Sequence, residues 1–407
     1  MKCRHCSIEL AHMFLDLGFA PPSNSYLFTE DLSQPEKYYP LRIKVCKKCW
    51  LVQTEDCVPV DELFNDDYAY FSSTSTSWLA HAAAYVATIT QTLKLGKDSL
   101  VVEVASNDGY LLKNFLALGI PCLGIEPTAS TAVAAEKIGI SVVREFFGQA
   151  LGNRLAAARG LADLIIGNNV FAHVPDINDF TLGLKGLLKP DGTITLEFPH
   201  VLSLIEKTQF DTVYHEHFSY LSLYTVDRIF RSAGLRVYHV EKLVTHGGSL
   251  RIYGCHAYDS RIIALSVSNL LAEEVMCGLQ ALDTYQGFQA KADRIKDDLL
   301  DFLIKKKRLG HTVAAYGAAA KGNTLLNYAG IKTDLLPVVY DASPAKQGKY
   351  LPGSHIPIRS PECLKKTPPD HLLILPWNIA SEVRQQNSEL VELGTKFVTA
   401  VPKLQLK

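Results

Sequence analysis

The chain lacks an excess of charge of one sign, an apolar run of bilayer length and an even set of cysteines, and each absence excludes a class of protein. Lysine and arginine number 41 against 42 aspartates and glutamates, a formal net charge of −1. Such a balance exerts no general pull on nucleic acid or anionic lipid, and the basic run Lys305–Arg308 reads as a solvated helix end. No uninterrupted apolar stretch reaches the ~20 residues that cross a bilayer. Met1–Cys6 leads straight into a cysteine pair rather than an apolar signal core, so a cytoplasmic protein without membrane association is expected. Nine cysteines, an odd number scattered over a long chain, form no disulfide framework and fit a reducing compartment. Internal repeats and low-complexity linkers are absent as well.

With 407 residues, 47% of them hydrophobic, the chain has the length for two or three domains with real cores. Residues 1–67 are rich in cysteine and turn formers and show little periodicity. Residues 68–260 alternate between two periods. Leu100–Ala105 (LVVEVA) is a short apolar run of the kind that forms a buried parallel strand. Pro121–Glu126, Ser141–Val143, Ala162–Gly167 and Gly192–Phe198 repeat it, with helical spacing over Leu111–Leu118, Thr128–Ile138 and Phe180–Leu188. This alternation predicts right-handed βαβ units and a doubly wound parallel sheet. Leu235–Leu243 and Leu250–His256 flank a His-Gly-Gly turn and predict an antiparallel pair at the end of that sheet. Residues 261–407 open with one long helix from Ile262 to Leu309. A compact second α/β pattern from Val313 follows, too short for a full dinucleotide domain.

Two motifs bear on metals and cofactors. Cys3-x-x-Cys6 and Cys46-x-x-Cys49 have the spacing that lets a tight turn aim two sulfurs at one ion, and four thiolates close a structural zinc shell. The alternative is four free cysteines near the surface. His5, between two ligands, is expected to face solvent. Glu103-Val-Ala-Ser-Asn-Asp-Gly109 follows the first strand and opens a helix, where small residues and free amides admit a ligand. Its glycine spacing is not the dinucleotide fingerprint, since Ala105 stands where glycine is expected. Glu126, ending the next strand, is placed to grip two ribose hydroxyls, which suits adenosylmethionine as well as NAD.

Val213–Ser219 (VYHEHFS) concentrates two imidazoles, a carboxylate and a phenol. Each needs a partner if buried, so such density points to chemistry. A histidine base supported by a carboxylate is one reading; a metal held by His215, Glu216 and His217, or a surface helix start, are the others. His173 lies after the strand ending at Gly167 and would reach the same edge of the sheet.

Taken together, these motifs resemble those of the deoxysugar C-methyltransferases, over nearly the whole chain and in the same order. The zinc cysteines are followed by YFSSTS (Tyr70–Ser75), VEVASNDG (Val102–Gly109), GNNVFAHV (Gly167–Val174), YHEHFSY (Tyr214–Tyr220), HGGSLR (His246–Arg251) and YGAAAKGNTLLN (Tyr316–Asn327). The resemblance implies a class I, Rossmann-like methyltransferase domain between a zinc-binding domain and a small C-terminal α/β domain that holds a nucleotide sugar. It places Glu103, Ala105, Asn107, Gly109, Glu126 and Asn168 around S-adenosylmethionine, and Tyr214, Glu216, His217 and His173 beside the sugar. His217 is expected to remove the proton at carbon 3 of a dTDP- or GDP-linked 4-keto-deoxysugar, with Glu216 setting the local charge and Tyr214 or His173 donating to the enolate oxygen. Lys321 and Asn323, with Ser249 and Arg251, are the expected substrate-binding residues. A monomer without nucleic-acid partners is expected; a zinc-containing nucleic-acid protein and an NAD-dependent oxidoreductase are the rival readings.

Overall fold

The computed structural model describes residues 1–59, 63 and 71–406. The expected boundary at residues 67 and 68, and Tyr70 of the YFSSTS run, lie outside these residues. Among the described residues no helix is long and apolar enough to cross a membrane.

Three sheets organise the chain. Strands β1 (His12–Ala20), β2 (Tyr39–Val45) and β3 (Val52–Thr54) form an antiparallel sheet whose inward positions are buried, as period-two alternation requires. The second sheet uses β4 (Val101–Val104), β5 (Cys122–Ile125), β6 (Ser141–Val143), β7 (Ala162–Asn168) and β8 (Leu188–Pro199), all parallel. All four residues of β4 are buried, which is why its sequence is a continuous apolar run broken only by Glu103. Between β8 and the closing hairpin lies β9 (Ser219–Tyr220), which leaves this domain to pair with β3 of the first sheet, Tyr220 opposite Val52.

The hairpin β10 (Leu235–Leu243) and β11 (Ser249–His256) completes the central sheet in the order β10-β11-β8-β7-β4-β5-β6. The expected hairpin is therefore present, with β11 inserted antiparallel against β8. The single helix expected over residues 262–309 is two, Leu265–Met276 and Phe288–Arg308. Gly278 (φ 77°) and Gly287 (φ 76°) take left-handed backbone in the gap, which ends one helix and starts the next.

The C-terminal sheet uses β12 (Val313–Tyr316), β13 (Val339–Tyr340), β14 (Ile358–Arg359), β15 (His371–Ile374), β16 (Lys396–Thr399) and β17 (Gln405–Leu406), ordered β14-β13-β12-β15-β16-β17. Asp341 directly follows β13, and its carboxylate accepts the amides of Ala318 (2.7 Å) and Ser343 (2.8 Å). The domains are not separate beads. One apolar core joins Leu15 and Ile43 of the first sheet to Phe210 and Val213 of the central domain and Leu325 and Leu326 of the last. Burying a side chain the size of Phe210 stabilises such a junction by about 1.5–3 kcal/mol.

Candidate functional site

Both Cys-x-x-Cys segments fold as the same knuckle. The Cys3 carbonyl accepts the Ser7 amide (2.9 Å), and the Cys46 carbonyl accepts the Trp50 amide (2.8 Å). Ser7 and Trp50 take φ of 57° and 62°, so each turn tightens at the equivalent residue. The four sulfurs lie within 4.8 Å of one another, with Cys3–Cys49 and Cys6–Cys46 at 3.5 Å. A Zn–S bond of about 2.3 Å puts the corners of a tetrahedron about 3.8 Å apart, so this set fits zinc and leaves no open position for substrate. His5 does not simply face solvent. Its Nδ1 lies 2.8 Å from Asn178 Oδ1, and the Asn178 amide donates back to the Arg4 and His5 carbonyls, docking the knuckle on the central domain.

In the central sheet the strand order reverses at β4, and the crevice beyond β4 and β7 is where such folds bind ligands. Ala105 (φ 58°) and Asn107 (φ 50°) both sit in left-handed backbone, a strain of about 1–2 kcal/mol each, and Gly109 (φ 78°) relieves the third such position. Glu126 braces this loop. Its carboxylate accepts the amides of Asn107 (2.9 Å) and Thr128 (3.0 Å). Residues 72 and 73 cover the same loop: the Ser72 amide donates to Asn107 Oδ1 (2.9 Å) and the Ser73 amide to Asp108 Oδ2 (3.1 Å). Burial, then the Glu126 and Asp108 carboxylates, push Glu103 well above the usual carboxylate range. Asn168 at the end of β7 is buried with both amide atoms unpartnered among the described residues, and so is Asn169 Oδ1. Orphaned polar atoms facing a braced, amide-rich loop fit the polar edges of S-adenosylmethionine.

The YHEHFSY segment lies where the three domains meet. Thr212 accepts a hydrogen bond from His217 Nδ1 (2.8 Å), which leaves Nε2 as the acceptor for the Tyr214 hydroxyl (2.7 Å). The His173 ring meets His217 edge-on at 4.6 Å. Burial, then the neighbouring His173, holds His217 well below the usual imidazole range, and burial brings His173 to about 4. Both are neutral imidazoles at pH 7. Burial lifts the Glu216 carboxyl to about 7, against the pull of the Asn24 amide, which donates to both of its oxygens at 2.7 and 3.0 Å. His215 points elsewhere, edge-on to Tyr39 at 6.2 Å, so the two histidines and Glu216 do not converge on one ion.

The C-terminal sheet also reverses its order, at β12, and that crevice opens toward the same cluster. Lys321 lies on the helix Ala320–Tyr328, its Nζ 2.8 Å from Asn378 Oδ1 and 4.8 Å above the Trp377 ring. Trp377 Nε1 donates to Asp211 Oδ2 (2.7 Å) in the central domain. A side chain at Gly247 would stand 2.4 Å from that indole, so the His-Gly-Gly turn closes against it. Burial brings Lys321 down to about 8 against the pull of Asp211, and burial raises Asp211 to about 6 against the pull of Lys321.

The remaining expected substrate residues all have partners within the protein. Arg251 donates to Glu197 (2.8 Å) and Glu241 (3.4 Å) and stacks 4.4 Å over Tyr85, so its guanidinium is held by protein carboxylates. Although burial alone would raise Glu197, His81 and Arg251 hold its carboxyl below the usual range. Ser249 donates to the Thr245 carbonyl (3.0 Å). Asn323 is fully buried and reaches the Ser23 carbonyl (3.4 Å), joining the first and last domains. Asn24, Asp211, Trp377 and His246 join the site without having been expected. His246 has a positive φ of 54° and meets Trp78 edge-on at 5.1 Å. The His-Gly-Gly run was one local signal and Asp211 adjoins Thr212, whereas Asn24 and Trp377 reach the cluster through contacts distant in sequence.

Three family models match the chain in succession: a zinc binding domain over residues 3–64, a methyltransferase domain over 78–240 and a C-methyltransferase C-terminal domain over 244–402. The C-methyltransferase NovU of Streptomyces niveus is 34% identical over 402 residues, which cover 99% of this chain and 96% of NovU. Among solved structures, magnesium protoporphyrin IX methyltransferase of Synechocystis PCC 6803 with bound SAM is 14% identical, covering 44% of this chain and 77% of that one, with a TM-score of 0.33. The YcgJ protein of Bacillus subtilis is 12% identical, covering 44% of this chain and all of that one, with a TM-score of 0.35.

Proposed function

Because this chain belongs to the C-methyltransferases, enzymes that use S-adenosylmethionine, we propose that its acceptor is carbon 3 of a dTDP- or GDP-linked 4-keto-deoxysugar. The observation that carries this reading is the pair of half-buried Tyr214 and buried His217, lying between two crevices of which one suits the methyl donor and the other a diphosphate. Carbon is a poor nucleophile until it bears charge, and a ketone at the adjoining position makes its proton removable by a neutral imidazole.

In this mechanism the Thr212 carbonyl fixes the His217 ring with Nε2 unprotonated. The sugar enters with its keto oxygen toward Tyr214, whose hydroxyl turns from Nε2 to that oxygen. Nε2 then takes the carbon 3 proton, and the electron pair of the C–H bond moves onto the enolate. A preorganised donor in a site with little water stabilises that oxygen more than a solvated one would. His173, edge-on to His217, helps exclude water. Glu216 supplies the charge that offsets the imidazolium formed. Glu103, Asn107, Glu126 and Asn168 would hold S-adenosylmethionine, which would supply an electrophilic methyl group to that carbon, the S–CH3 bond breaking to leave the neutral thioether S-adenosylhomocysteine. Lys321 receives the diphosphate, steadied by Trp377 and Asn378. Cys3, Cys6, Cys46 and Cys49 hold a zinc ion that takes no part in the reaction.

Deuterium incorporation tests the reading. The enzyme, loaded with S-adenosylhomocysteine in deuterated water, should exchange the carbon 3 proton of a dTDP- or GDP-linked 4-keto-deoxysugar, and methyl transfer should follow when the donor replaces it. His217→Asn should bind both ligands and lose both reactions by about 10²–10⁴-fold. Methyl transfer to an oxygen, or exchange undiminished in His217→Asn, would overturn it.

A further inference from the structure

We propose that Asn24 is a positioning residue of the methyl-transfer site, by which the zinc-binding domain reaches across the interface and holds the Glu216 carboxylate beside the reacting centre. The inference rests on the placement of Glu216 in that centre, as above.

Glu216 is 2% exposed, and among the described residues the Asn24 amide is the one hydrogen-bond donor to its carboxylate. The amide is itself well anchored. Ser23 meets Thr324 of the C-terminal helix, hydroxyl to hydroxyl at 3.3 Å, and Thr324 donates to the Val213 carbonyl at 2.8 Å. On the other side the Tyr26 hydroxyl donates to the Ala318 carbonyl at 2.6 Å. Residues 23–26 thus form a wedge between the catalytic segment and the C-terminal crevice, with Asn24 at its tip. An interface built only for cohesion gains little from a buried carboxylate with a single neutral donor, since apolar groups of the same shape join surfaces at lower cost.

Glu216 is surrounded by few charges that would compete with this amide. His215, which burial brings to about 4, and the neutral His217 flank it on its own segment, and the neutral His173 faces it from the turn Phe171–His173. Tyr26 faces it from the zinc-binding domain, with Lys346 and Asp341 of the C-terminal domain beyond that phenol. Burial lifts Glu216 to about 7 and the Asn24 amide is what pulls it back. The anion therefore forms as pH rises through about 7, and removing its donor moves that midpoint upward.

The test measures kcat against pH for the full chain and for Asn24→Ala. The acid limb should move up by about one to two pH units, the range set by one hydrogen bond to a charged acceptor, so turnover falls at pH 7 and returns above pH 8.5. Zinc content and adenosylhomocysteine affinity should stay at wild-type values. Infrared difference spectra across pH supply a readout that needs no sugar: the carboxyl band missing from Glu216→Gln should titrate near 7 in the wild type and higher in Asn24→Ala. That separates failure of this inference from failure of the substrate assignment. If Asn24→Ala does not fold, the isosteric Asn24→Asp takes its place and should move the limb further, since it adds a like charge. Equal loss of turnover at every pH, or an unmoved carboxyl band, would overturn the proposal.

Discussion

Alkaline pH should release a nucleoside diphosphate from the C-terminal crevice, because Lys321 holds its proton less tightly than an exposed lysine. Burial brings this ammonium down to about 8, and the nearby Asp211 carboxylate draws it back up. A lysine with that midpoint is about nine-tenths charged at pH 7, about one-tenth at pH 9 and about one-hundredth at pH 10. With only the cation pairing to phosphate, affinity should fall about tenfold from pH 7 to 9 and about tenfold more by pH 10. The break in log Kd marks the midpoint of the free protein, since the bound diphosphate stabilises the cation. Asp211→Asn keeps an acceptor for Trp377 Nε1 and removes the charge, so the break should move toward neutrality while the fold stands. Calorimetric titration of the adenosylhomocysteine-loaded protein with dTDP and GDP, from pH 6.5 to 10 at constant ionic strength, makes the measurement. Lys321→Met supplies the baseline and should show weak binding without a break. An affinity level from pH 7 to 9.5, or an identical break in Asp211→Asn, would refute the assignment of Lys321 to the diphosphate.

Two further outcomes are expected. Stripping zinc with a strong chelator removes binding free energy on the order of 10–16 kcal/mol from the knuckles, so amide exchange should accelerate at Val52–Thr54 and at Ser219–Tyr220 together, with turnover lost. Hydrogen exchange read by mass spectrometry checks this, and protection kept at residues 219 and 220 in the metal-free protein would contradict it. Glu126→Ala removes the acceptor for the Asn107 and Thr128 amides and lets the strained loop relax, so adenosylhomocysteine should bind on the order of a hundredfold more weakly by calorimetry. Unchanged affinity would mean that the loop holds its shape without that carboxylate.

The sequence was most legible where a local pattern carries the structure. The apolar runs Leu100–Ala105 and Ala162–Gly167 became β4 and β7 because residues buried on both faces of a parallel sheet have no reason to alternate. The paired cysteines announced the zinc set through spacing alone. The long helix expected from Ile262 failed because helical spacing continues on both sides of Gly278 and Gly287, and only the backbone shows the break. The carboxylates around Arg251 were not legible, since Glu197 and Glu241 flank it only once β11 pairs with β8 and β10. Asn24 and Glu216 stand 192 positions apart, and Asp211 and Trp377 stand 166 apart. No periodicity reports such a pair, and an asparagine after two prolines reads as one more turn residue.

The two-residue strand β9 has a practical bearing on engineering. Because Ser219 and Tyr220 complete the sheet of the metal-bearing segment, the chain up to Thr54 cannot be exchanged as though it were independent of the rest. A chimera that takes its first sixty residues from a relative would meet a foreign edge at Val52 and Gln53. Grafting residues 210–221 along with them would restore the match, and would carry the Tyr214 phenol and the His217 imidazole into the hybrid as part of the same cassette.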